Sequence, residues 1–243
     1  MSTPIPPIDL PAPIQVDRDG PLPPLLVVLT LVTGLVDAVS YLKLGHVFVA
    51  NMTGNVVFLG FAVAGARDFS VAGSLIAIGA FLLGALAGGC LGSAVGRHRG
   101  RLLAIALAIK IVLVVAALII AANSVNFEGD PTRFSMIVLL GSAMGLQNAV
   151  ARRIGVPDLT TTVLTLTLTG LAADSTLAGG KNPHPVRRLV ATGTMFAGAM
   201  AGAALIFHSG VVAALAVTVT LLALNAVAAY RISKSTDPWT TGA

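Results

Sequence analysis

Eight apolar stretches, at about residues 25–42, 47–66, 69–96, 102–122, 134–151, 159–176, 187–207 and 210–230, alternate with short polar joints along the chain. A helix needs about 20 apolar residues to cross the hydrocarbon core of a bilayer, with a working range of ~17–25. By length every stretch qualifies, but two depart from the plain pattern. The second opens on Asn51-Met52-Thr53-Gly54-Asn55. The sixth follows Pro157-Asp158 and carries Thr160, Thr161, Thr162, Thr165, Thr167 and Thr169. Backbone groups in lipid must find partners locally, so polar, glycine-bearing starts predict re-entrant or broken segments, at 44–66 and 154–176.

The flanks read differently. Residues 1–24 hold eight of the chain's 13 prolines, together with Asp9, Asp17 and Asp19 where a secretory signal would need positive charge. Such a stretch predicts a disordered, retained cytoplasmic tail rather than a helix or a cleaved leader. Residues 231–243, from Arg231 through Trp239, read as a second short tail.

The basic residues distinguish two arrangements. If all eight stretches cross, Lys and Arg divide 8 against 6 between the two sides, which is no bias. If the two odd stretches enter and leave on the same side, the division becomes 11 against 3. Arg18, Arg97, Arg99, Arg101, Arg152, Arg153, Lys181, Arg187, Arg188, Arg231 and Lys234 then face Lys43, Arg67 and Arg133, with Lys110 inside a helix. The positive-inside rule selects the second arrangement, with both termini cytoplasmic; eight short crossings are the alternative.

An internal repeat agrees with that choice. Gly34-Leu35-Val36-Asp37-Ala38-Val39 matches Gly145-Leu146-Gln147-Asn148-Ala149-Val150 at four of six positions. Residues 77–96 match 191–210 at eight of twenty, including Gly79/Gly193, Gly84/Gly198, Gly88/Gly202 and Gly96/Gly210. The offsets are 111 and 114 residues, so both blocks belong to one duplicated unit. The joint Arg97-His98-Arg99-Gly100-Arg101 is strongly basic, whereas its counterpart His208-Ser209-Gly210 carries no Lys or Arg. Copies of opposite orientation produce that asymmetry. The expectation is an all-α transmembrane bundle with a 3+3 inverted repeat: repeat 1 over 25–122 and repeat 2 over 134–230, each with three crossings and one re-entrant segment.

Composition sharpens the class. Of the 243 residues, 56% are hydrophobic and only 10% charged, with mean hydropathy +0.91. That is too little polar surface to cover a globule in water, where about a quarter of residues are charged. The single cysteine, Cys90, excludes a disulfide scaffold and thiolate metal clusters. The net charge of +5 is spread between apolar runs, which speaks for topology and against nucleic acid.

Candidate chemistry gathers at the repeat motifs. Thr30, Thr33, Asp37 and Ser40 form one polar helical stripe, and Asp37 lies about 13 residues, or ~20 Å, into its helix. An intramembrane carboxylate marks a functional site by default, the competing role being a cap on the re-entrant backbone. Its repeat partner is Asn148, beside Gln147, where interhelical hydrogen bonding is an equally good reading. Asn51, Thr53, Gly54 and Asn55 sit where an extended entry turns into a half-helix, whose N-terminus is partially positive. In the second copy Thr161, Thr162 and Thr165 are the ligand candidates, although threonines in such a run also bond back to their own helix. Lys110, inside the fourth crossing, can snorkel, or pair with Asp37 or a carbonyl. Gly84, Gly88, Gly92 and Gly96 recur every four residues, a close-packing signal that serves the chain itself or a homo-oligomer.

The blocks Gly34-Leu35-Val36-Asp37-Ala38, Phe48-Val49-Ala50-Asn51-Met52-Thr53-Gly54-Asn55 and Gly145-Leu146-Gln147-Asn148-Ala149 resemble the YoaK family of small bacterial integral membrane proteins. The resemblance covers roughly residues 25–230 and implies a multi-pass protein of the bacterial inner membrane with no established activity. In relatives the second copy keeps a Thr-Gly pair within its Thr-rich segment; here Thr165 precedes Leu166 and the pair is Thr169-Gly170.

Together these readings lead to a permease or channel-like protein for a small solute or ion. Asp37, Asn51, Thr53, Asn55, Gln147, Asn148, Thr162 and Thr165 line its site between two half-helices. The lipid bilayer is the expected partner, with no nucleic acid and no cofactor. A non-transporting scaffold or accessory subunit is the alternative. With no nucleophile–base pair, metal cluster or cofactor motif, the chain is not expected to be an enzyme.

Overall fold

The computed structural model describes residues 18–124, 129–159, 161, 164–180 and 184–241. Seven α-helices account for most of them, and no strand occurs among the described residues: α1 Leu22–Lys43, α2 Met52–Val63, α3 Val71–Val95, α4 Arg99–Asn123, α5 Asp130–Ile154, α6 Leu164–Ala173 and α7 Pro185–Ile232. Five of these, α1, α3, α4, α5 and α7, are long and apolar enough to cross a membrane. The remaining two, α2 and α6, have 12 and 10 residues. At 1.5 Å per residue they reach about 18 and 15 Å, half the thickness of the hydrocarbon core.

Local chemistry sets the helix ends. Ser70 accepts the Gly73 N–H at 3.0 Å to start α3, and His98 Nδ1 accepts the Arg101 N–H at 3.1 Å to start α4. At the far end of α5, Gly155 takes the left-handed conformation that a residue with a side chain disfavours. The prolines near residue 24 begin α1 rather than preventing it. Pro23 and Pro24 stand in its first turn, where backbone N–H groups have no intrahelical partner to lose. The proline-rich stretch is therefore structured from residue 18 onward, with Asp19 buried and Gly20 under the Trp239 ring; residues 1–17 lie outside the described part. The C-terminal stretch is docked as well. Trp239 is buried, and its carbonyl accepts from Arg99 at 3.3 Å.

The last element is two arms. Gly210, with φ +85°, interrupts the helical backbone of α7 and leaves arms of residues 185–209 and 211–232. Both outer ends of these arms return to the same place. Arg187, at the start of the first, bonds Asp19 at 3.0 Å, and Asp19 lies 3.7 Å from Arg99. Ile232, at the end of the second, places its carbonyl beside Gly100. The chain reverses at Gly210, which matches the separate stretches 187–207 and 210–230 read from the sequence.

Asp19, Arg99, Arg187 and Ile154, whose carbonyl accepts from Arg99 at 2.8 Å, gather at one end of the molecule. We call it the basic end, since Arg18, Arg97 and Arg153 join it. The other end holds the C-terminus of α1, His46, and Arg133 beside Gly45.

Two close helix pairs form the frame. On one, Gly84 and Gly88 of α3 face the backbone of Ser142 and Leu146 on α5, while Gly145 faces Phe81 and Ala85 in return. On the other, Gly198 and Gly202 of α7 face Leu31 and Leu35 on α1, while Gly34 faces Met195 and Ala199. A Cβ on Gly84 would stand 2.7 Å from the Ser142 Cα, and one on Gly202 would stand 3.0 Å from the Leu35 Cα, so neither pair can approach this closely with a larger residue. The glycines read as a packing signal are taken up inside the chain: Gly84 and Gly88 against α5, and Gly92 against the Arg153 side chain. Gly96 faces open space.

This arrangement buries α1 and α5 for most of their length and leaves α3, α4 and α7 with one face outward. Leu82, Leu83 and Leu86 on α3, Val112 on α4, and Phe196 and Leu224 on α7 are each at least 61% exposed. Such large apolar side chains are stable outside only where the solvent is lipid.

Candidate functional site

After α1 the chain turns through Gly45 and His46, both at positive φ, and runs back into the molecule. At Ala50 it is level with Asp37: the Asp37 Oδ1 accepts the Ala50 N–H at 3.0 Å. Asn51 then starts α2 by accepting the Gly54 N–H at 3.3 Å. Asn55, fully buried, ties the entry segment to the helix. Its Oδ1 accepts from the Phe48 N–H at 2.8 Å and its Nδ2 donates to the Phe48 carbonyl at 2.6 Å. Helix α2 climbs back to the end it came from. There Phe58 and Phe69 stack at 4.8 Å and Phe69 lies 6.4 Å from His46. The segment thus turns back within the molecule toward the end that holds His46.

The second odd segment does the same from the basic end. Beyond Gly155 the chain reaches Thr161, whose hydroxyl accepts from Gln147 Nε2 at 3.0 Å, and α6 then leads back out. A single guanidinium closes the neck: Arg188 donates to Asp158 at 3.1 Å on the way in and to Asp174 at 2.8 Å on the way out.

The first turns of the two half-helices share a cavity of about 580 Å³. Its walls include Met52, Thr53 and Gly54 from α2, Leu164 and Thr165 from α6, Phe81 from α3 and Met195 from α7, with Asp37 and Asn51 among the polar groups. The walls follow the repeat offsets: Thr53 and Gly54 stand 111 residues before Leu164 and Thr165, and Phe81 stands 114 before Met195. The volume suits a small molecule. Each half-helix brings the partial positive charge of its N-terminus. Asp37 brings a carboxylate that is 5% exposed. Acceptor groups of a solute are therefore favoured toward the helix starts, and donors or cations toward Asp37.

A buried polar chain lies on the basic-end side of this cavity. Lys110, 1% exposed, donates to Gln147 Oε1. The Gln147 amide donates in turn to Thr33 Oγ1 at 2.9 Å and to Thr161, and Thr33 donates to the Leu29 carbonyl at 2.8 Å. Thr33 is one helical turn before Asp37 on α1. The sequence placed Lys110 inside a helix but left Asp37 or a carbonyl as its partner. The partner is a side-chain amide 37 residues away, which only the α4–α5 packing reveals.

The expected site residues separate into three groups. Asp37, Asn51, Thr53 and Thr165 line the cavity together. Asn55 and Gln147 are buried but do not line it, one pinning the entry segment and the other joining Lys110 to Thr33 and Thr161. Asn148 turns away: its amide donates back to the Met144 carbonyl of its own helix at 2.9 Å, and it is not among the lining residues. Thr162 lies outside the described residues. Asp37 both caps the re-entrant backbone and faces the cavity.

A bundle of apolar helices, five of them long enough to cross a bilayer, with two shorter apolar helices beside them, is the architecture of an integral membrane protein. The chain belongs to the family described as "Protein of unknown function (DUF1275)", whose profile matches residues 25–228. It is similar to the UPF0700 transmembrane protein YoaK of Bacillus subtilis (strain 168), with 35% identity over 150 residues, covering 62% of this chain and 65% of that relative. The match thus spans less than two thirds of the relative's length. No solved structure matches.

Proposed function

We propose that the chain is a small permease or channel-like protein for a polar solute or ion, built as an inverted repeat in a bacterial inner membrane with both termini cytoplasmic. The observation that carries this reading is the meeting of the α2 and α6 starts, which come from opposite ends of the molecule, at one cavity beside Asp37. Half-helices that end at mid-membrane leave backbone groups unpaired where lipid cannot pair them, and transport sites are where such arrangements recur. The inverted relation is supported by the two glycine pairs and the cavity walls, which obey the same 111- and 114-residue offsets as the sequence. The cytoplasmic assignment rests on the concentration of arginine at one end.

In this reading the solute sits between Thr53 and Thr165 with a donor group toward Asp37. The polar chain Thr33–Gln147–Lys110 continues the route toward the basic end. Full-length protein in liposomes, with osmotic swelling followed for urea, glycerol, glycine, sodium formate and potassium chloride, tests it. At least one solute is expected to enter faster than in empty liposomes. Asp37→Asn, which keeps an acceptor for the Ala50 N–H, is expected to slow that entry at least about tenfold. Equal entry in both proteins rejects the role of Asp37. No entry of any solute favours the scaffold reading.

A further inference from the structure

We propose that the cavity at the basic end binds a phosphate group, carried by an anionic lipid headgroup or as the free ion. This cavity, about 330 Å³, is separate from the Asp37 cavity, and Arg18, Arg97, Arg99 and Arg153 line it. They come from four places in the chain: the stretch before α1, the α3–α4 turn, the start of α4 and the end of α5. No Asp or Glu is among the described lining residues.

The topology rule explains why arginines lie on this side but not why they converge. Like charges around a rim repel least when spread apart, and four guanidiniums gathered on one hollow raise its potential. Among the described residues, the carboxylate paired with a lining arginine is Asp19, and it is shared: it lies 3.7 Å from Arg99 and 3.0 Å from Arg187. Arg99 is buried and held in place by the carbonyls of Ile154, Arg18 and Trp239, so it gives the hollow a fixed cationic wall. Arg18, Arg97 and Arg153 are exposed at the mouth. A compact dianion or phosphodiester with several acceptor oxygens is the ligand that such a set of planar donors recognises. The site does not depend on transport.

The test is direct binding to the full chain in neutral detergent. Phosphatidylglycerol and the uncharged dioleoylglycerol are counted as adducts by native mass spectrometry, and labelled inorganic phosphate is measured by equilibrium dialysis. Saturable binding of phosphatidylglycerol alone assigns the site to a headgroup, and saturable binding of phosphate alone assigns it to the ion; both support the proposal. The double variant Arg97→Gln/Arg153→Gln is expected to raise the half-saturating concentration at least about tenfold. Arg152→Gln, exposed on the same helix but outside the lining, leaves it unchanged. No saturable binding of either probe, equal binding of dioleoylglycerol, or an unmoved half-saturation in the double variant overturns the proposal.

Discussion

A carboxylate and an ammonium inside one small membrane protein invite the reading of an ion pair, and the residues decline it. Asp37 spends an oxygen on the Ala50 N–H, while Lys110 is held by Gln147. Each short-helix segment is thereby hung on a different buried titratable group: α2 through Asp37 and Ala50, α6 through Lys110, Gln147 and Thr161. Gln147 is the joint of the second arrangement, since removing it leaves an ammonium and two hydroxyls without their shared partner. A buried polar group left without its hydrogen-bond partner costs about 1–3 kcal/mol, and more when the group is charged, so stranding the Lys110 ammonium costs more than stranding the Gln147 carbonyl oxygen. We therefore expect Gln147→Leu to lower the thermal midpoint in detergent well below that of Lys110→Met, and the double variant to recover part of the loss. A larger loss for Lys110→Met would place the weight on the ammonium instead. The polar stripe that carries Asp37 was legible from its helical spacing. The Lys110–Gln147 contact was not, because two residues 37 positions apart on antiparallel helices carry no local signal of their meeting.

At the level of elements, an apolar run and a helix are different things. The run at 47–66 predicts a crossing by length. Yet residues 47–50 are not helical, with Val47, Val49 and Ala50 buried against the core, and only Met52–Val63 is helical. Buried irregular chain and buried helix share a composition; what separates them is the polar pair Asn51 and Asn55, which caps one and pins the other. The glycine periodicity was equally legible, but its partner was not, because a small-residue face shows only that something packs closely. The structure supplies the partner and with it a prediction. Gly84→Leu and Gly198→Leu must force α3 from α5 and α7 from α1, at about 1–3 kcal/mol or more each. Gly79→Leu and Gly193→Leu face open space and leave the midpoint nearly unchanged. Thermal unfolding of the four variants checks this. Equal midpoints across all four would mean that the close contacts at Gly84 and Gly198 do not hold the helix pairs together, since by helix propensity alone Gly→Leu is stabilising.

For the whole molecule, the fold-back of α7 at Gly210 decides which joints share a side. The first arm runs alongside α1 in the same direction, Gly198 meeting Leu31 and Gly202 meeting Leu35, so Ser209 is carried toward the end that holds His46 and Arg133. The second arm returns, and the Asn225 amide reaches the Leu25 carbonyl at 3.1 Å near the start of α1. Residues 97 and 236 thus belong to the basic end, residues 67 and 209 to the other. Single cysteines at Arg67, Ser209, Arg97 and Thr236, in a Cys90→Ser background, separate the two ends with a membrane-impermeant maleimide on intact spheroplasts. Positions 67 and 209 are expected to label from outside, and 97 and 236 only after permeabilisation. That result joins the arginine-rich end to the cytoplasm and places the α2 and α6 entries on opposite faces. Labelling of 97 and 209 from one face would instead put both half-helices on the same side, and their facing N-termini could no longer define a site reached from two directions.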